Sequence, residues 1–68
     1  MAKNKKFRKL LKDKNMKRKA LAERLGVSVM TVGNWINGKF RPSIQYVIAM
    51  AKLFDMSIES VYAIFKLQ

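Results

Sequence analysis

The chain has 68 residues, 50% of them apolar, which predicts a single small domain over residues 1–68 rather than a disordered basic tail. It lacks cysteine and histidine, which excludes disulfides and the usual metal sites, and the absence of cysteine fits a reducing cytoplasm. No apolar run approaches the roughly 20 residues of a membrane span, and the first residues do not resemble a signal peptide. Residues 1–41 hold 13 of the 15 Lys and Arg residues and two of the four acids, so they carry the whole net charge of +11. This asymmetry favours a polyanionic partner, and a merely solvated basic face is the alternative.

Apolar residues at helical spacing predict five short helices, and no alternating pattern predicts a strand. The predicted helices cover about residues 4–14, 17 or 18–25, 29–36, 43–54 and 57–65. Their apolar faces are formed by Phe7, Leu10 and Leu11, by Leu21, Ala22 and Leu25, by Val32, Trp35 and Ile36, by Val47, Met50, Ala51 and Phe54, and by Ile58, Val61 and Phe65. The phase of Trp35 favours core packing over stacking on a nucleic-acid base.

Turn residues between these segments predict where each helix begins and ends. Gly26 is expected to end the second helix in the left-handed conformation, and Asp55 is expected to do the same after the fourth. Ser28 and Ser57 are expected to cap the helices that follow them. Two dipeptides also predict helix boundaries. Asn37-Gly38 is expected to end the third helix, and Pro42-Ser43 is expected to begin the fourth, with Ser43 accepting hydrogen bonds from free N–H groups.

The second and third predicted helices are joined by a tight turn at Gly26-Val27-Ser28, which would let the third protrude into a major groove. This turn belongs to a longer sequence pattern that is typical of a known family. The positions that match the pattern are Leu21, Ala22, Leu25, Gly26, Val27, Ser28, Thr31, Val32, Trp35, Gly38, Pro42, Ser43, Ala51 and Ser57. Through them, residues 5–62 resemble the helix-turn-helix family of phage Cro and lambda-type repressors. The resemblance implies an all-α, five-helix lambda-repressor-like fold and a sequence-specific, Cro-like transcriptional repressor that binds double-stranded DNA.

The resemblance also implies which residues meet the DNA. Base edges would be probed by Ser28, Val29, Met30, Gly33 and Asn34. Asn34 is the strongest candidate because an amide can pair with both N6 and N7 of adenine. Gly33 costs about 1 kcal/mol against Ala within a helix, so it either permits close approach to DNA or is a drifted surface position. Phosphate contacts are expected from Arg18, Lys19, Thr31, Asn37, Lys39 and Arg41.

The chain departs from the family pattern at the start of helix 2 and at one pair of residues between helices 1 and 3. The family opens helix 2 with Ser or Asn, Gln and an acid, whereas this chain has Lys17, Arg18 and Lys19. These cations oppose the helix dipole, and a DNA phosphate could supply the missing anion; a tolerated local defect is the alternative. The family often has Glu at Ile36, paired with Arg at Leu11, so an apolar contact between Leu11 and Ile36 is predicted.

A homodimer is expected, through Tyr62, Ile64, Phe65 and Leu67, on a near-palindromic operator with half-sites about one helical turn apart. Alternatively, these residues cover the core of a monomer. A second functional hypothesis is a protein-interaction module, such as an antirepressor or antitoxin-like partner with the same fold. Membrane and RNA binding are disfavoured. No enzymatic activity and no cofactor are expected, because paired carboxylates and a Gly-rich phosphate loop are missing.

Overall fold

The computed structural model describes residues 3–66, which form five helices and contain no strand. They are α1 (Lys5–Asp13), α2 (Arg18–Leu25), α3 (Val29–Ile36), α4 (Ile44–Phe54) and α5 (Ile58–Lys66). The predicted all-α fold is therefore confirmed, with every helix end within one residue of its predicted position. None of the helices in this part of the chain is long and apolar enough to cross a membrane.

Side-chain caps start three of the helices. The Asn4 side chain accepts a hydrogen bond from the Phe7 N–H at 3.0 Å, and the hydroxyls of Ser28 and Ser57 accept from N–H groups three residues further on. These bonds satisfy donors that have no partner within the helix. Ser43 was expected to do the same for α4, and that prediction is wrong. Its side chain makes no cap bond, and only its carbonyl accepts, from the N–H groups of Tyr46 and Val47.

Residues in the left-handed conformation end α2 and α4 as predicted. Gly26 has a φ of 71° and Asp55 a φ of 56°. The Gly26 N–H donates to Ala22, and the Asp55 N–H donates to Ala51 and Lys52 carbonyls, so each residue closes the last turn of its helix. The chain reverses sharply at both points, which allows short helices to pack closely against one another.

The core lies where the five helices meet, and each helix contributes apolar side chains from one face. The Phe7 and Phe65 rings lie 4.9 Å apart and join α1 to α5, while the Trp35 and Tyr46 rings lie 5.6 Å apart and join α3 to α4. The predicted core role of Trp35 is thus confirmed. The buried apolar residues are Phe7, Leu10, Leu11, Leu21, Ala22, Val32, Trp35, Ile36, Val47, Met50, Ala51, Phe54, Val61 and Phe65.

Two details of the predicted packing can be compared with the structure. Ile58 was predicted to face inward, but 43% of it is exposed, because it begins α5 directly after the turn and no neighbouring helix covers it. Leu11 and Ile36 are both buried and line the same depression between α1 and α3, where the family has an ion pair. That arrangement fits an apolar replacement of the pair.

Candidate nucleic-acid interface

The turn between α2 and α3 sets the position of α3. Gly26 reverses the chain, the Val27 N–H donates to the Ala22 carbonyl at 3.0 Å, and Ser28 then caps α3. Val32, Trp35 and Ile36 hold the inner face of α3 in the core. The third helix is therefore fixed along one side, and its other side lies at the surface of the domain.

The outer side of α3 presents the residues predicted to read bases. Met30 is 76% exposed and Val29 is 46% exposed, while Asn34 is half-buried. The Asn34 carbonyl accepts hydrogen bonds from the loop that follows α3, including one of 2.9 Å from Lys39. No hydrogen bond engages the Asn34 side-chain amide within residues 3–66, so both its donor and its acceptor are open to a ligand.

Ser28 and Thr31 form a hydroxyl pair at the start of α3. Their oxygens lie 2.9 Å apart, and the Ser28 oxygen also accepts from the Thr31 N–H at 3.1 Å. One hydroxyl proton is shared between the two oxygens, which leaves the other hydroxyl proton to donate elsewhere. Ser28 is therefore committed to capping, and the pair retains one donor that could meet a phosphate or base oxygen.

Gly33 was predicted to lie with Val29 and Met30 on the open face, but it is buried. The guanidinium of Arg18, which belongs to α2, lies over it: the Arg18 Nη1 would be 3.7 Å from a Cβ atom at position 33. A Cβ atom on Gly33 would thus meet an arginine from the neighbouring helix at ordinary contact distance. The sequence had placed Arg18 on the flank of α3, and nothing in the spacing alone pointed to Gly33 as its contact.

The beginning of α2 is cationic and uncapped, as its sequence predicted. Lys17 stands at the N-cap without a side-chain hydrogen bond, and the first turn of α2 contains no acid. Lys19 is exposed on the same turn. A surface depression lies at this end of α2. Four of its lining residues are cationic, three are apolar and, among the described residues, none is acidic. The lining consists of Arg8, Leu11, Lys12, Met16, Lys17, Arg18 and Ile36. This end of α2 therefore attracts anions.

The loop after α3 supplies cations on the opposite flank. Asn37, Lys39 and Arg41 are all exposed, as their predicted role requires. The Lys39 ammonium lies 5.7 Å from the centre of the Phe40 ring, a distance that allows a cation–π interaction and limits where the ammonium moves. Basic side chains thus lie in two segments next to α3, namely the start of α2 and the loop that follows α3.

The residues predicted to form a dimer interface do not share one surface. Tyr62 is 48% exposed and Ile64 is half-buried, but Phe65 is only 2% exposed and packs on Phe7, so it is unavailable to a partner. Leu67 lies outside the described residues. Three further apolar side chains are exposed, namely those of Phe40, Ile44 and Ile58. Sequence reasoning assigned none of them to an interface and placed Ile58 in the core.

A short helix, a left-handed glycine turn and a second, serine-capped helix with an open face and cations beside it define a helix-turn-helix DNA-binding domain. A helix-turn-helix family model matches residues 7–61, which is more than half of the chain. The chain therefore belongs to this family, that of Cro and lambda-type repressors, and is a DNA-binding regulator. No curated protein and no solved structure shows significant similarity to it.

Proposed function

We propose that the protein is a Cro-like repressor that inserts α3 into the major groove of its operator. One observation carries the proposal. The inner face of α3 is anchored in the core, while Met30 on its other side is 76% exposed. A helix held in this way can enter a groove without losing its own packing, because the residues that meet the DNA do not support the fold.

Base recognition is assigned to the open face of α3. The unengaged amide of Asn34 would donate to N7 and accept from N6–H of adenine in the bidentate manner that discriminates by about 1–3 kcal/mol. Val29 and Met30 would contact thymine methyl groups, whereas Ser28 caps α3 and is not assigned a base contact. Gly33 contributes no side chain to this face.

Phosphate contacts are assigned to the flanks of α3. A phosphate at the start of α2 would accept from N–H groups that Lys17 leaves uncapped, and it would balance the charge there. The remaining hydroxyl donor of the Ser28–Thr31 pair would serve a second phosphate. The residues proposed for these contacts are Arg18, Lys19, Thr31, Asn37, Lys39 and Arg41.

A homodimer is proposed because one reading helix covers only a few base pairs. The described part of the chain measures 29 × 24 × 22 Å, which is smaller than the roughly 34 Å of one turn of DNA, so two copies fit side by side on half-sites with that spacing. Tyr62 and Ile64 on α5 remain the proposed contacts, with Leu67 beyond the described residues. Such a dimer would recognise a near-palindromic operator.

The test is selection from a randomised duplex library at about 150 mM salt, a concentration that suppresses non-specific binding. The expected product is an inverted repeat with half-sites about 10 bp apart. Asn34→Ala should remove the preference for adenine at one position of each half-site, whereas Gln45→Ala, which removes an exposed amide on α4, should not. Failure to enrich any sequence would overturn sequence-specific binding.

A second candidate is a protein-interaction module with the same fold. The large exposed area of Met30 and Val29 favours it, because neither side chain can hydrogen-bond a base. The two functions are separable. Asn34→Ala should weaken operator recognition only, whereas Met30→Lys should weaken binding to a protein that docks on this face more than it weakens phosphate-driven binding to DNA.

A further inference from the structure

Arg18 and Gly33 form a contact between the two helices of the DNA-binding unit. Arg18 is the first residue of α2, and Gly33 lies in the middle of α3. A Cβ atom built on Gly33 would lie 3.7 Å from Nη1 of Arg18, and Gly33 is buried although Val29 and Met30 on the same side of α3 are exposed. The guanidinium is thus placed beside the reading face although its own backbone belongs to α2.

The position has no local reason to be glycine. Gly33 lies within a regular helix and does not adopt a positive φ, whereas Gly26 and Gly38 do. Glycine is among the poorest helix formers, so its presence here opposes the local structure. The structure supplies a compensating reason, because a side chain that extends beyond Cβ would reach the Arg18 guanidinium.

Arg18 itself is not held by an acid. The depression that it lines contains three other cations and no carboxylate within the described residues, so its guanidinium is repelled rather than paired on that side. Like-charged neighbours favour positions that spread the cations apart or that share an anion between them. Arg18 is exposed overall, so its guanidinium donors stay accessible to a ligand while Nη1 lies beside Gly33.

We propose that Gly33 is a positioning residue: its missing side chain seats the Arg18 guanidinium against α3, where it clamps the DNA phosphate that flanks the reading helix. The inference rests on the proposed function and assigns Gly33 a role other than base contact. A seated arginine loses less freedom on binding than a mobile one, and its fork geometry suits two phosphate oxygens.

The experiment is a set of salt titrations of binding to the selected operator and to a random-sequence duplex. Removing one phosphate contact should lower the slope of log K against log salt by about 0.9 on both duplexes. Arg18→Ala and Gly33→Leu should each show this change, with binding roughly tenfold weaker. Gly33→Ala should match the unsubstituted chain, because a methyl group at 3.7 Å makes only an ordinary contact.

The double variant separates seating from general effects of the substitutions. Arg18→Ala with Gly33→Leu should bind no more weakly than Arg18→Ala alone, because both changes remove the same contact. Arg24→Ala is the matched control: it removes an exposed cation from the last turn of α2, and its loss should add to that of Gly33→Leu. Thermal unfolding should show both Gly33 variants at least as stable as the unsubstituted chain, because alanine and leucine are better helix formers.

Three results would overturn the inference. Gly33→Leu could keep the full salt slope, the losses from Arg18→Ala and Gly33→Leu could add, or Arg18→Ala could change the preference at one base pair without changing the slope. The last result would make Arg18 a base reader. Failure of the proposed function is distinguishable from these, because the unsubstituted chain would then enrich no sequence, while its salt slope on the random duplex would still report on Arg18 and Gly33.

Discussion

The side-chain amide of Asn4 donates a hydrogen bond of 3.0 Å to the backbone carbonyl of Ile64, sixty positions further along the chain. The same residue caps α1 through Phe7, and its own N–H donates to the Ile36 carbonyl at 2.7 Å. Asn4 therefore joins the start of α1 to the last turns of α3 and α5. It satisfies carbonyls that have no partner at helix ends, which explains why a polar residue is buried there.

Asn4→Ala should destabilise the fold by about 2 kcal/mol. It removes a cap worth about 1 kcal/mol and leaves the buried Ile64 carbonyl without this donor. In thermal unfolding, the midpoint should fall by about 8–16 °C for a domain of this size. Asn4→Ser is the matched variant, since it keeps a capping oxygen but cannot reach Ile64. Its unfolding midpoint should lie between those of the unsubstituted chain and Asn4→Ala. If serine and alanine behave alike, the contact to Ile64 contributes nothing.

Lys17→Ser should stabilise the fold and weaken DNA binding together. Serine supplies the cap that α2 lacks, which is worth about 0.5–1 kcal/mol, and it removes a cation from the start of the helix. Chemical denaturation should report the gain, and a salt titration with operator DNA should report the loss. Lys52→Gln, on the exposed side of α4, removes the same charge far from α2 and should leave operator binding nearly unchanged. Tighter DNA binding by the Lys17 variant would contradict the phosphate contact proposed at the start of α2.

Asp55→Gly should raise the free energy of unfolding by about 0.5–1 kcal/mol. Asp55 adopts a left-handed conformation that glycine reaches without steric cost, and its carboxylate stands at the C-terminal end of α4, where the helix dipole disfavours an anion. Asn15→Gly is the comparison, because Asn15 also has a positive φ but carries no charge, so its gain should be smaller. Equal gains at the two positions would exclude a contribution from the dipole.

Tyr62→Asp should convert the proposed dimer into a folded monomer. Sedimentation measures the mass and circular dichroism checks the helix content, since Tyr62 is half-exposed and its substitution leaves the core intact. Ile44→Asp introduces the same charge at an exposed apolar position of α4. If Ile44→Asp separates the subunits and Tyr62→Asp does not, the dimer uses a different surface. A monomer at every concentration of the unsubstituted chain would contradict dimerisation altogether.

Most of the local structure could be predicted from the sequence because its signals act over a few residues. Helical spacing of apolar residues, the left-handed Gly26 and the capping Ser28 depend only on neighbours within one or two turns. The prediction that Ser43 caps α4 was wrong because a capping residue type does not guarantee a capping rotamer. Ile58 was misplaced because spacing gives the phase of a helix, not how far the neighbouring helix extends along it.

The sequence by itself determined the five helices, the turn between α2 and α3, and the basic half of the chain, since all of these follow from local backbone preference and composition. Only the tertiary structure showed that Asn4 ties α1 to α3 and α5, that Phe65 belongs to the core, and that Arg18 covers Gly33. These are contacts between residues remote in sequence, and they depend on how the helices pack. Periodicity within one helix carries no information about which side chain of another helix will fill a given space.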